Sequence, residues 1–335
     1  MNAQISDRLI GLDLVKVLAC FLVVALHTCT KSPSISLSSI LYYLGVIAIP
    51  LFFITHGYLL FGKTRNNKWY SYKKIGRILF LTFILNVLLM ILDAFFMNSF
   101  FNPLIGSVDS LFLQRGRFSH FWFLGALIFI YLLFPILDYL YMHKQKLFVC
   151  LFVCLFVMQM TVDIINIYSS VVYSKLFQAY IPQTFRFESH FSYFVLGGMI
   201  KLNRFRIQKY ITLLSIVACL LIILCYQFFM VRHVYPTLRC EYFYDNLLII
   251  VSSAMIFVYL INKNFTKYAN ISKVISFMSG LIMIIYIIHP FVIILNNSLI
   301  GIGSDVISLV IVFGICTLFS WIISKIPYVN TIFKI

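Results

Sequence analysis

Residues Gly11–His27 read GLDLVKVLACFLVVALH. A membrane-spanning helix takes about 20 mainly apolar residues, and this run is apolar apart from Asp13, Lys16 and His27. Ionisable groups are costly at membrane depth, so by default they face a partner or a cavity. At roughly 100° per residue, with Asp13 at zero, Lys16 falls near 300°, Cys20 near 340° and His27 near 320°, an arc of about 60°. Leu, Val, Ala and Phe fill most of the remaining circumference. Asp13 and Lys16 stand three apart, the spacing of a helical ion pair that lowers the cost of burying both. Along the axis, Lys16 and His27 are about 16 Å apart. The stretch reads as a spanning helix with one polar stripe turned inward. A plainer reading, an ion-paired packing contact with a histidine at the interface, stays open on this segment alone.

The rest of the chain agrees with the first helix. Its 335 residues are 62% hydrophobic and 11% charged, with a mean hydropathy of +0.99. That composition belongs to a multi-spanning membrane protein. Polar gaps stay below about 35 residues, too short for an independent core, so residues 1–335 form one membrane domain. The first apolar run carries charges and lacks a small-residue cleavage pattern, so it is not expected to be a cleaved signal peptide. The net charge of +16 would suggest nucleic acid on a soluble protein. Here it reads as the basic loops that set topology, and no nucleic-acid partner is expected. The eight cysteines form no CxxC pair and mostly sit in apolar runs, as small core residues. Cys29 and Cys240 fall in segments placed outside the membrane, where a bridge between them is conceivable. No His-x3-His or acidic pairing points to a metal, and no metal site is expected.

The expected fold is all-α and integral to the membrane. Ten candidate spans fall at roughly 9–28, 38–62, 75–97, 119–141, 146–167, 187–202, 209–230, 244–262, 274–297 and 305–325. The sixth is short and contains Gly197-Gly198, which suggests a tilted, broken or re-entrant segment. With the N-terminus placed in the cytoplasm, only Lys31, Arg115, Arg117, Lys175, Arg186, Arg232 and Arg239 fall outside. The other basic residues, apart from Lys16 within its span, fall inside. They include Arg8, Lys63, Arg65, Lys68, Arg204, Arg206, Lys209, Lys267 and Lys334. This asymmetry supports about ten transmembrane helices with both termini cytoplasmic.

Other histidines fall near the depth of His27. His120 in SHFWFLG and His190 in FESHFSYF start their spans at the outer surface, and His289 in YIIHPF approaches it. His56, in LFFITHGYLL, lies in the inner half of its span. Each alone is compatible with the ordinary preference of aromatic and histidine residues for interfaces. The loop GKTRNNKWYSYKKIGR ends with Lys73, Lys74 and Arg77 at the mouth of the third span, where Lys74 and Arg77 share a helix face. Such a cluster suits phosphate binding, though topology alone also explains it.

In order and spacing these segments resemble the membrane acyltransferase-3 family. Lys16-x10-His27, after Leu12-Asp13, resembles its Arg-x10-His pattern, and Lys74-x-x-Arg77 its Arg-x-x-Arg pattern. PLFFITHGYLL, SHFWFLGALIFIYLLFPIL and IIYIIHPF resemble further segments, so the resemblance covers essentially the whole chain. The departures are lysine for both leading arginines and His56 for the usual serine. Lysine keeps the charge but loses the planar bidentate fork. Longer members carry an extracytoplasmic hydrolase-like domain that is not seen here, so this chain is expected to act alone or to pass its product to another protein.

The resemblance implies an enzyme of the inner (plasma) membrane that moves an acetyl group from cytoplasmic acetyl-CoA to a hydroxyl of a surface glycan or lipid-linked oligosaccharide. Acetyl-CoA is then a substrate, and no permanently bound cofactor is expected. Lys73, Lys74 and Arg77 would hold the CoA phosphates, with Lys16 deeper. His27 would act as general base or acyl carrier, tuned by a neighbour such as Glu188. Asp13, His56, His120, Trp122, Tyr286 and His289 would support the site, the last four lining its acceptor side. A succinyl or other acyl donor, and a non-enzymatic polyprenyl-glycan flippase, are the alternatives. The absence of an evident internal repeat weighs against a transporter built from inverted repeats.

Overall fold

The computed structural model describes residues 10–63, 69–202, 211–263, 265, 268–299 and 305–327. Arg8, Arg65, Lys68, Arg204, Arg206, Lys209, Lys267 and Lys334, used above to orient the chain, lie outside the described residues. So do the first residue of the expected first span and the first two of the seventh.

The regular structure of the described residues is entirely helical. In lipid an α-helix satisfies its own backbone hydrogen bonds, which is why apolar runs of this length take that form. The helices are α1 (Ile10–Thr28), α2 (Leu37–Leu44), α3 (Ala48–Leu60), α4 (Tyr70–Met97), α5 (Pro103–Val108), α6 (Trp122–His143), α7 (Gln145–Tyr173), α8 (Phe187–Lys201), α9 (Leu213–His233), α10 (Leu247–Ile261), α11 (Ala269–Leu299) and α12 (Val306–Ser324). A 3₁₀ turn joins α2 to α3, making one continuous apolar segment.

Among the described residues, eight segments are long and apolar enough to cross a membrane: α1, α2–α3, α4, α6 with the turn before it, α7, α9, α11 and α12. The other two expected spans correspond to α8 and α10, of 15 residues each. At 1.5 Å per residue such a helix covers about 22 Å, short of a hydrocarbon core of about 30 Å. α10 is half-buried, with Leu247 and Val251 exposed, whereas α8 is packed inside the bundle. Every residue of α8 from Ser189 to Ile200 is buried, so protein rather than lipid surrounds it.

Gly197-Gly198 does not break α8, which removes the broken helix from the three alternatives raised by the sequence. The pair instead serves close packing. A Cβ on Gly57 of α3 would come within 1.9 Å of the Phe194 carbonyl oxygen, and one on Gly197 within 2.1 Å of the Ile54 oxygen. The two backbones therefore touch at reciprocal glycines, the small-residue contact that brings membrane helices together. Gly57→Ala is expected to lower stability by about 1–3 kcal/mol, the cost of overpacking a filled site. A lower unfolding midpoint in detergent would show it, and an unchanged midpoint would contradict the packing described here.

The bundle has two ends. α1 begins near Asp13 and Lys16 and finishes at His27; α11 runs alongside, with Ser276 and Ser279 at the first end and His289 towards the second. α6 runs the other way, starting just after His120. We refer to these as the lysine end and the histidine end.

A candidate active site between two cavities

The stripe on α1 meets α11 rather than an open channel along its whole length. At the lysine end Asp13 is buried and accepts hydrogen bonds from Ser279 at 2.6 Å and Ser276 at 3.5 Å, besides the Lys16 ammonium at 3.2 Å. The expected ion pair is present. At the histidine end the His27 ring lies 5.1 Å from that of His289. Cys20 is buried in the core between them and lines neither of the cavities below.

His289 owes its setting to the residue after it. Pro290 has no backbone N–H and cannot close the helical hydrogen bond to the carbonyl four residues back, that of Tyr286. His289 Nδ1 lies 2.7 Å from that oxygen. A ring nitrogen that close to a carbonyl must donate, so the proton is on Nδ1 and Nε2 carries a lone pair. Nε2 of His289 is buried and has no partner among the described residues. His120 is similar: its ring is 5.3 Å from His289, and its Nε2 is buried without a partner among the described residues. The Tyr286 hydroxyl donates to the His120 carbonyl and so ties α11 to the start of α6. His27, by contrast, is exposed. One open imidazole thus stands before two buried ones.

These three histidines line a cavity of about 340 Å³, together with Trp122 and Tyr286. A second cavity of about 250 Å³ lies towards the lysine end, lined by Lys16, His56 and Ser279 among others. Val23, Ile49, Phe123 and Tyr286 belong to both walls. Four side chains therefore separate the space around Lys16 from the space around His27. His56 is fixed by its Nδ1, 3.1 Å from the Phe52 carbonyl.

A family model described as an acyltransferase domain matches residues 9–325, nearly the whole chain. The chain belongs to the membrane acyltransferase-3 family. No curated protein and no solved structure matches it. As an acyltransferase-3 protein it is a multi-pass membrane acyltransferase, which requires an acyl donor and an acceptor.

The remaining site residues of this acyltransferase are distributed as follows. Lys73, Lys74 and Arg77 occupy the first turns of α4, with Lys73 and Arg77 exposed and the Lys74 ammonium 5.6 Å from the Tyr70 ring centre. They do not line the lysine-end cavity, although the charges of Lys74 and Lys16 both act on His56. Glu188 is not beside His27. It starts α8, which packs between α3 and α7, and it accepts a hydrogen bond from Gln178 at 3.2 Å. Gln178 also bonds Asp245 at 2.5 Å and Asn166 at 2.8 Å, and Ser189 donates to Asp245. His190 sits apart from the other histidines, stacked on Phe53 at 4.7 Å and on Trp122 at 5.7 Å, with Nε2 2.6 Å from the Gln183 carbonyl. It braces the wall from behind.

Several residues of the site have no counterpart among those picked from the sequence. Lys31, Gln114, Gln183, Arg239 and Glu241 line the histidine cavity. All come from loops or helix ends, where no periodicity marks them. For Gln183, Arg239 and Glu241 the one signal is polar density at 174–190 and 232–246; Lys31 and Gln114 lack even that. Among the described residues no group of three or more His, Cys, Asp or Glu is placed to hold a metal ion.

Cys29 and Cys240 are both buried free thiols and form no bridge. Burial, with Glu241 beside it, pushes the Cys240 thiol up to about 12. Only the thiolate reacts, so Cys240 is expected to resist N-ethylmaleimide at pH 8 although it lines the cavity. Stoichiometric labelling there under native conditions would contradict this environment.

Proposed function

We propose that the protein is an O-acyltransferase that takes an acetyl group from cytoplasmic acetyl-CoA and places it on a hydroxyl of an extracytoplasmic or lipid-linked glycan. The lysine end then lies at the cytoplasm and the histidine end outside, in a ten-pass arrangement in which the short helices α8 and α10 also cross. One observation carries it: an open His27, with two buried imidazoles beside it, lines a cavity that shares four wall residues with a second cavity holding Lys16.

The CoA phosphates dock on Lys73, Lys74 and Arg77 at the mouth of α4. The pantetheine arm passes Lys16 and His56, and the thioester carbonyl reaches the histidine cavity past Phe123 and Tyr286. A ring nitrogen of His27 takes the proton of the acceptor hydroxyl as its oxygen attacks the thioester carbon. The new C–O bond forms, the C–S bond breaks, and the CoA thiolate leaves with the proton returned by the imidazolium. His120 and His289 both line this space, and the Nε2 atoms of both are buried without a partner among the described residues. Uncharged, they add no repulsion to the His27 cation formed at mid-reaction, and their lone pairs accept hydrogen bonds from the incoming hydroxyls. Transfer through an acyl-His27 intermediate uses the same groups in two steps. Acetyl-CoA is the donor substrate, and the chemistry requires no bound cofactor.

The test is NMR and mass analysis of the surface glycans of cells with and without the protein. Acetyl esters lost on deletion and regained with the wild-type chain support the proposal. Unchanged esters, with lipid-linked glycan accumulating on the inner leaflet, favour a flippase instead.

A further inference from the structure

Beside the histidine cavity lies a recess of about 350 Å³. Gln114, Ser119, Arg239 and Glu241 line both spaces, so a molecule whose hydroxyl sits at His27 extends directly into the recess. We infer that this recess is an acceptor subsite for an acidic sugar unit, whose carboxylate or phosphate is taken by Arg239. The inference rests on the transferase reading for its place in the reaction, but its chemistry stands on the recess alone.

Few basic residues lie at this end of the bundle, and most of those described have a structural partner. Arg117 pairs with Asp93 at 2.7 Å, and Arg232 donates to the Pro33 carbonyl at 3.0 Å. Arg186 is built into the wall: it is buried, donates to the carbonyls of Glu241 at 3.1 Å and Gln178 at 3.2 Å, and lies over the Tyr242 ring. Arg239 differs. Its side chain is 60% exposed, and its ion pair with Glu241 is long, at 3.7 Å. Glu241 is already engaged through its other oxygen by Gln183 at 2.6 Å. A long, exposed ion pair contributes little, so exchanging it for a bidentate grip on a ligand anion is favourable. Arg186 adds a second positive charge to the recess and Lys31 one to the adjoining cavity, against the single carboxylate of Glu241 in the shared wall. Tyr180, largely exposed at the rim, offers an aromatic face, while Gln114 and Ser119 offer neutral partners for hydroxyls. This combination of aromatic face, amide and one accessible guanidinium suits a charged sugar better than a neutral one.

The experiment is equilibrium binding to the full chain in nanodiscs, with no donor present, so that it does not depend on catalysis. Probes are an oligogalacturonate, the matching neutral galactan and a sugar phosphate, each measured against wild type, Arg239→Gln and Arg239→Lys. Wild type is expected to bind at least one anionic probe ten-fold or more tightly than the neutral one, and the preferred anion tells carboxylate from phosphate. Arg239→Gln is expected to remove that preference, Arg239→Lys to restore part of it, and added salt to weaken it. Arg239 is exposed, so neither variant should disturb the fold. Equal binding of acidic and neutral probes, or a preference unchanged in Arg239→Gln, would overturn the subsite. Acidic binding without acetyl transfer to any acceptor would keep the subsite and overturn the transferase reading.

Discussion

Replacing His27 by alanine is expected to lower acetyl transfer by about 10²–10⁴-fold, the usual contribution of a positioned general base. The loss should fall on kcat, with the KM for acetyl-CoA little changed, because in the proposed reaction the imidazole acts on the acceptor proton and not on the CoA moiety. His27 is the exposed member of the histidine group, and its removal leaves the His289 bond to the Tyr286 carbonyl and the Tyr286 tie to His120 in place. The variant should therefore insert and unfold like wild type. A properly inserted His27→Ala protein that transfers acetyl at the wild-type rate would remove His27 from the chemistry. Lys74→Ala with Arg77→Ala is the converse control: KM for acetyl-CoA rises while kcat holds.

The second large effect concerns the other end of the stripe. Asp13→Ala is expected to cost about 3–4 kcal/mol, towards the lower part of the range for removing one partner of a buried ion pair. Asp13 is buried at 3% exposure and holds Lys16, Ser276 and Ser279 together, so its loss strands a cation and two hydroxyls inside the bundle. Lys16→Ala should cost less, because Asp13 keeps both serines, and the lysine itself is 27% exposed. The double variant should be less damaged than the sum of the two, since no stranded ammonium remains. Unfolding midpoints of the four proteins measure the coupling. Strict additivity would show that the pair is not coupled in the folded bundle.

The first helix was legible because its signal is periodic. Asp13, Lys16 and His27 recur on one face, and that face is the one that meets α11. The two buried histidines were also visible, since His120 and His289 head or punctuate long apolar runs whose direction follows from alternation. Glu188 lies outside the lining of the histidine cavity for the opposite reason. Its distance from His27 depends on how α8 lodges between α3 and α7, a packing decided by Gly57 against Phe194 and Gly197 against Ile54, not by spacing along the chain. The same holds for Arg239, Gln114 and Gln183, which come from separate loops and meet only after the helices pack. α8 is 15 residues long, short of a free-standing span, and other helices enclose it from Ser189 to Ile200. Length reasoning assumes a helix facing lipid.

The central claim is that the acetyl group crosses between the two cavities and is transferred at His27. The direct measurement uses proteoliposomes of one orientation, with labelled acetyl-CoA on the lysine side of the bundle and the glycan acceptor on the histidine side, neither able to cross the lipid. The account predicts labelled ester on the acceptor and free CoA remaining on the donor side, with both products lost in His27→Ala. Transfer only when donor and acceptor share one side, or transfer undiminished without His27, would contradict it.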